Sequence, residues 1–212
     1  MLIKILNVKS LYINIAVLTV VTFFLFSGCG EEKKKEAKIV SQNNISDTTS
    51  VVIKYTVSGT GSGNITVTKK GNKVKLELEK NAGDGKNIET RFISDGWIYF
   101  YFATETVVQP VKSRVNKDHL YLKNFASLAD AEEIISRTKK GGNETISGFT
   151  CDIFDSNDGS KFSIYNGKYV LQSSFDGIII RAESVNFNSL VRDKEVEKPA
   201  GVEFLELTAG PQ

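Results

Sequence analysis

The sequence predicts a mainly β domain, an antiparallel up-and-down meander interrupted by one amphipathic helix. Three observations predict it. Apolar and polar residues alternate with period two over most of the chain beyond residue 50. Asx-Gly dipeptides recur between the alternating runs. One segment alone, near residue 130, follows the 3.6-residue period of a helix.

The strands follow in order. Ile53, Tyr55 and Val57 alternate with Lys54, Thr56 and Ser58. Ile65 and Val67 alternate with Thr66 and Thr68, and Val74, Leu76 and Leu78 with Lys75, Glu77 and Glu79. Phe149, Cys151 and Ile153 form a later run, followed by Phe162 and Ile164, then Tyr169 and Leu171. Each run has one apolar and one polar face, as in antiparallel strands wetted on one side. Asp95-Gly96, Asp158-Gly159, Asn166-Gly167 and Asp176-Gly177 are hairpin dipeptides, because both residue types tolerate positive φ. Short connections pair sequential neighbours, giving about nine or ten strands. Alternation alone fits a closed barrel or a sandwich equally well.

The helix is expected to run for about 11 residues from a capping box at Ser127 to Asp130, stopping at Gly141-Gly142. Asp130, Glu132 and Glu133 near its start and Arg137, Lys139 and Lys140 near its end complement the helix dipole. Leu128, Ala131, Ile134 or Ile135, and Thr138 share one side, which must bury against the sheet.

Composition excludes several classes. With 17 Gly and 3 Pro in 212 residues, and 41% apolar residues, the chain is neither collagenous nor a disordered tail. Two Cys exclude a disulfide scaffold, and a single histidine, His119, excludes a site of several imidazoles. Gly59-Thr60-Gly61-Ser62-Gly63 lies between two strands rather than before a helix, so it reads as a flexible hairpin and not a phosphate loop. The Asp155–Gly159 loop lacks the distal bidentate Glu of a calcium loop. Cys151 shares a face with Phe149 and Ile153 and reads as a small buried apolar residue. No catalytic constellation, cofactor motif or metal site emerges, so the expectation is a non-enzyme.

Residues 1–28 read as a secretory signal. Lys4 and Lys9 supply the positive region, and Leu11 to Phe26 an apolar run of about 16 residues, shorter than the ~20 of a spanning helix. Phe26-Ser27-Gly28-Cys29 resembles the bacterial lipobox, with Phe26 where Leu is preferred. The resemblance implies that Cys29 carries acyl chains, becomes the new N-terminus and anchors the protein to the cell envelope. Gly30, in place of the Asp that favours inner-membrane retention in enteric-type bacteria, implies the outer membrane facing the periplasm. In a cell without an outer membrane the address is the outer face of the cytoplasmic membrane. Removing Lys4 and Lys9 from the 27 basic residues leaves 25, equal to the 25 acidic ones, so no nucleic-acid footprint remains. Residues 29–50 are the lipidated Cys and a polar tether whose span is about 25 Å. Residues 51–208 are the folded domain.

The stretch Trp97 to Phe102 is apolar on both faces: Ile98, Phe100 and Phe102 on one, Trp97, Tyr99 and Tyr101 on the other. Such a strand is covered on both sides, lines a cavity or meets a partner. Trp97, Tyr99, Phe100, Tyr101 and Phe102 are therefore the candidate ligand-binding residues.

With its lipobox, tether and helix-bearing meander, the chain resembles lipoproteins related to the LolA/LolB-like outer-membrane lipoprotein carriers. The segments that carry the likeness are Ile146-Ser147-Gly148-Phe149-Thr150-Cys151 and Pro199-Ala200-Gly201-Val202. The resemblance implies an unclosed antiparallel β half-barrel with a helix across its hollow. It also implies an apolar cavity for a lipid or a lipoprotein acyl chain. The alternative is an envelope interaction module with a packed core and a protein partner.

Overall fold

The structure, a computed structural model, describes residues 50–82, 85–102, 109–118 and 120–207. The chain divides into two units, Met1–Val40 and Ser41–Gln212, and every described residue belongs to the second. The signal segment, Cys29, tether residues 30–49 and His119 lie outside the described residues.

Twelve strands form one sheet. They are β1 (Val51–Gly59), β2 (Gly63–Lys70), β3 (Lys73–Ala82), β4 (Gly85–Ser94), β5 (Trp97–Phe102), β6 (Val111–Arg114), β7 (Lys139–Ile146), β8 (Phe149–Asp155), β9 (Lys161–Tyr165), β10 (Tyr169–Phe175), β11 (Ile178–Phe187) and β12 (Leu205–Glu206). Their order is β12-β6-β5-β4-β3-β2-β1-β11-β10-β9-β8-β7. The two ends of that order are not joined, so the sheet is an open half-barrel. Every pairing is antiparallel except β12 on β6. The meander expectation holds within β1–β6 and within β7–β11. The two runs are joined by a pairing no local rule supplies, β1 with β11.

The strand number exceeds the expected nine or ten because β6, β7 and β12 lack alternation. β7 is exposed along most of its length, as a sheet edge with no cover, and β12 is two residues long. The turns follow their chemistry. Asp95 and Gly96 have φ of 52° and 76°, Asn166 and Gly167 51° and 66°, Asp176 and Gly177 49° and 77°.

The helix is a correction. Phe125–Ala129 is a 3-10 turn, and the α-helix α1 covers only Ala131–Arg137. Its cap is Asp130, whose carboxylate accepts the Glu133 N–H at 3.1 Å. Ser127 instead accepts the Asp130 N–H through its main-chain carbonyl at 3.1 Å, within the 3-10 turn. Thr138 is extended and ends α1, so Gly141-Gly142 is no stop. The two glycines lie within β7, at the register shift between Lys140 and Asn143.

One core binds these elements. Leu122, Ala126, Leu128, Ala131 and Ile134 of the crossover from β6 to β7 are buried with Val51, Ile53, Val67, Val74 and Leu76 of the inner sheet face. Tyr55, opposite Ala182 in register, reaches past that small residue to donate its hydroxyl to the Val170 carbonyl at 2.7 Å. A buried hydrogen bond of this kind contributes about 1 kcal/mol net, and more is lost if one partner is left bare.

The outer face of β2–β6 has its own cover. After β11 the chain runs across it as a strap. A short helix, α2 (Asp193–Val196), packs on β2 and β3 with Val191 and Val196 buried. Lys70 pairs with Asp193 at 2.8 Å, and Lys73 with Glu197. The strap ends where Leu205 N–H bonds the Pro110 carbonyl at 2.9 Å and Leu207 N–H bonds Lys112 at 2.8 Å.

At Gly59 the two runs approach too closely for a side chain. Its φ is +92°, and a Cβ there would stand 1.9 Å from the Gly177 carbonyl oxygen. Gly71, with φ +57°, faces open space. Gly59→Ala is expected to cost about 2–4 kcal/mol, against about 1 kcal/mol for Gly71→Ala. Urea unfolding of both variants checks this, and equal losses would show that the close approach is not a constraint.

Candidate functional site

Strand β5 divides the candidate ligand-binding residues between two faces. On the inner face Ile98 is buried and Phe100 packs against the core. Phe102 stands opposite Glu89, which in turn stands opposite Leu78. On the outer face the Trp97 ring lies 3.9 Å from the Arg114 guanidinium carbon and 4.7 Å from Lys112 Nζ. Tyr99 meets Phe204 of the strap edge to face, with centroids 5.3 Å apart, and Lys198 Nζ lies 5.7 Å from both rings. Tyr101 is half-buried opposite Thr90. The five residues are therefore two surfaces, and strap and cations cover Trp97 and Tyr99.

The inner face also holds an ion pair that periodicity does not reveal. Arg91 Nε donates to Glu89 Oε1 at 2.6 Å, with both side chains 13% exposed. The Arg91 guanidinium donates to Asn124 Oδ1 at 3.2 Å and lies 5.2 Å and 5.9 Å from the Phe100 and Phe125 ring centroids. Desolvating both charges is costly, and the extra hydrogen bond and the two aromatic faces offset part of that cost. The available signal was opposite charges at i and i+2 of a strand, which share a face.

Among the described residues, openings lie between the sheet and its inner cover at both strand ends. One, of about 190 Å³, is lined by Val57, Ile65, Leu78, Phe125 and Ile178, with Gly61 to Asn64 at its lip. The other, of about 280 Å³, has Val74, Ile93, Val115 and Tyr121 in its wall and Lys69, Asp95, Lys117 and Asp130 at its rim.

Lys117 links that rim to α1. It bonds Asp130 at 2.8 Å and Glu133 at 3.0 Å, and Arg137 bonds Glu133 at 2.5 Å. The hydrogen bonds to Asp130 and then Glu133 hold the Lys117 pKa above the ordinary lysine value. The Lys117 hydrogen bond, opposed in part by desolvation, holds the Glu133 carboxyl below the ordinary range.

Cys151 is fully buried, with Sγ 3.5 Å from the Phe149 carbonyl. Burial first, and then the Glu144 carboxylate, push the thiol up to about 11. It is no nucleophile at neutral pH. The Asp155–Gly159 loop serves the β8–β9 connection, where Asp158 Oδ1 accepts the Ser160 N–H at 2.9 Å and Asp155 pairs with Lys161 at 3.6 Å. Among the described residues no helix is long and apolar enough to cross a membrane.

An open, mostly antiparallel sheet with a helical cover inside and a strap outside defines a mainly β half-barrel domain. No family model matches the chain, and comparison with curated proteins finds no match. Among solved structures, the crystal structure of MucB aligns with a TM-score of 0.36 and 11% identity, over 76% of this chain and 61% of that one. The chain thus spans about three fifths of MucB, and a superposition this loose adds nothing to the fold read from the strand order.

Two outcomes are expected. Cys151 stays unreactive toward a thiol-labelling disulfide reagent at neutral pH until the domain unfolds; stoichiometric labelling of the folded protein would contradict its burial. The Glu133 contribution to stability is complete above the ordinary glutamate pKa of about 4.3 and is lost as pH falls through its lower folded value. Lys117→Met should therefore flatten the acid limb of a plot of urea midpoint against pH, and an unchanged limb would assign it elsewhere.

Proposed function

We propose that the chain is a non-enzymatic cell-envelope lipoprotein, anchored by acyl chains on Cys29, whose half-barrel receives a slim apolar ligand. The ligand class is a lipid or lipoprotein acyl chain. One observation carries the ligand reading: the opening bounded by Val57, Ile65, Leu78, Phe125 and Ile178, apolar and reachable from solvent. At about 190 Å³ it is smaller than the ~300–1,000 Å³ of ordinary ligand pockets, so it suits part of one chain rather than a whole lipid. Deeper entry requires the Phe125 turn to lift from the sheet. Phe100 and Phe102 share the inner face with this opening but do not line it. The resemblance to the LolA/LolB-like carriers supports the same ligand class, the lipobox supports the anchor, and Gly30 supports the outer membrane in a cell that has one.

A second reading, a protein-interaction module with a packed core, draws on the fully buried Tyr55 and Ile134 that fill the interior. It also draws on the exposed Leu205 and Leu207 at the β12 edge.

The test has two arms. Radiolabelled palmitate should enter the wild-type chain and not Cys29→Ser; equal labelling of both removes the anchor. Ile178→Trp, which fills the opening, should weaken binding of a fluorescent long-chain fatty acid by about tenfold with little change in unfolding midpoint. Unchanged affinity, or no binding by the wild type, favours the interaction module.

A further inference from the structure

We infer that the strand end where the tether enters the domain is a seat on the bilayer, with Leu190, Phe149, Tyr165 and Phe187 resting against the membrane that holds Cys29. The inference rests on the lipid-anchor reading above and adds an orientation to it.

The chain enters the described domain at Ser50, beside the end of β11. Val51 stands opposite Phe187, and the Ser50 hydroxyl bonds the Ser189 carbonyl. Three residues past Phe187 comes Leu190, at 101% relative exposure the most exposed large apolar residue among those described. It is held out by its neighbours. Asn188, at φ +59°, turns the chain away from β11. The Val191 N–H bonds the Ser189 carbonyl at 2.8 Å, and Lys70 Nζ bonds the Val191 carbonyl at 2.8 Å. Val191 is buried, so the backbone on both sides of Leu190 is fixed.

A lone exposed leucine is ordinary on a soluble surface. The strand end it shares with an aromatic cluster distinguishes this one. Phe149, Tyr165 and Phe187 are half-buried at the same strand end, with ring centroids 4.9 to 5.8 Å apart. Aromatic side chains, tyrosine above all, suit the boundary between hydrocarbon and water. With an acyl anchor on Cys29, docking of the domain on the same membrane is intramolecular. Under those conditions burial of one leucine biases the docked orientation by roughly ten- to a hundredfold.

The experiment uses the full lipidated chain, Trp97→Phe, in vesicles of phosphatidylcholine and phosphatidylglycerol with or without brominated acyl chains. An indole is placed by Leu190→Trp, or at the opposite strand end by Ile179→Trp, where the native residue is also exposed. The Leu190→Trp chain is expected to lose about half its emission to brominated lipid, as for a group at the headgroup–acyl boundary, and the Ile179→Trp chain almost none. Equal quenching of the two overturns the seat. A blue-shifted but unquenched indole in Leu190→Trp also overturns it, since a second copy or another protein then covers the site. Flotation with and without Cys29→Ser reads the anchor separately. A floating chain with no quenching sinks the seat alone, and a chain that does not float sinks both.

Discussion

The pairing of β1 with β11 is the constraint on which the rest of the domain depends. It runs from Val51 opposite Phe187 to Gly59 opposite Ile178, between segments more than a hundred residues apart. Closing so long a loop costs chain entropy before any contact repays it. The repayment is concentrated at the seam. Ile53, Tyr55 and Ile180 are buried there, the Tyr55 hydroxyl finds Val170, and the Thr60 N–H bonds the Gly177 carbonyl at 3.0 Å. Without the seam, two separate meanders would each expose an apolar edge and half a core.

Once the sheet is joined, its first half is apolar on the inner face and, around Phe92 and Tyr99, on the outer face as well, and each has its cover. The crossover that carries α1 covers the inside, and the strap after β11 covers the outside. The covers differ in chemistry. The inner one is mainly aliphatic, tied by the Arg91–Glu89 pair and its aromatic neighbours. The outer one combines Val191, Val196 and Phe204 with ion pairs at its margin. The margin pairs are solvent-exposed, so salt screens them and each contributes little alone.

Among the described residues, these covers leave openings at both strand ends. Neither is a large hollow, because Leu128, Ile134 and Tyr55 occupy the middle of the half-barrel. On the proposed reading, a slender apolar chain would enter at the strand end beside the Phe125 turn. If Cys29 carries the proposed anchor, the domain needs little further energy to choose an orientation, and modest apolar features at the tether end then become consequential.

The strands, their faces and most turns were legible in the sequence, because alternation and positive-φ dipeptides are local properties. Asp95-Gly96, Asn166-Gly167 and Asp176-Gly177 turn as their chemistry requires, and Cys151 is buried as its face implied. The Phe125–Ala129 turn was less legible, since a buried Ser127 mimics a cap while Asp130 does the capping. Only the tertiary structure decided that β1 meets β11, that the strap meets Tyr99 while β6 cations lie over Trp97, and that Arg91 and Glu89 face inward together. The reason is physical. Side-chain order says which way a residue points, but main-chain hydrogen bonds carry no label for their partner, so distant edges find each other only through the packing of the whole core.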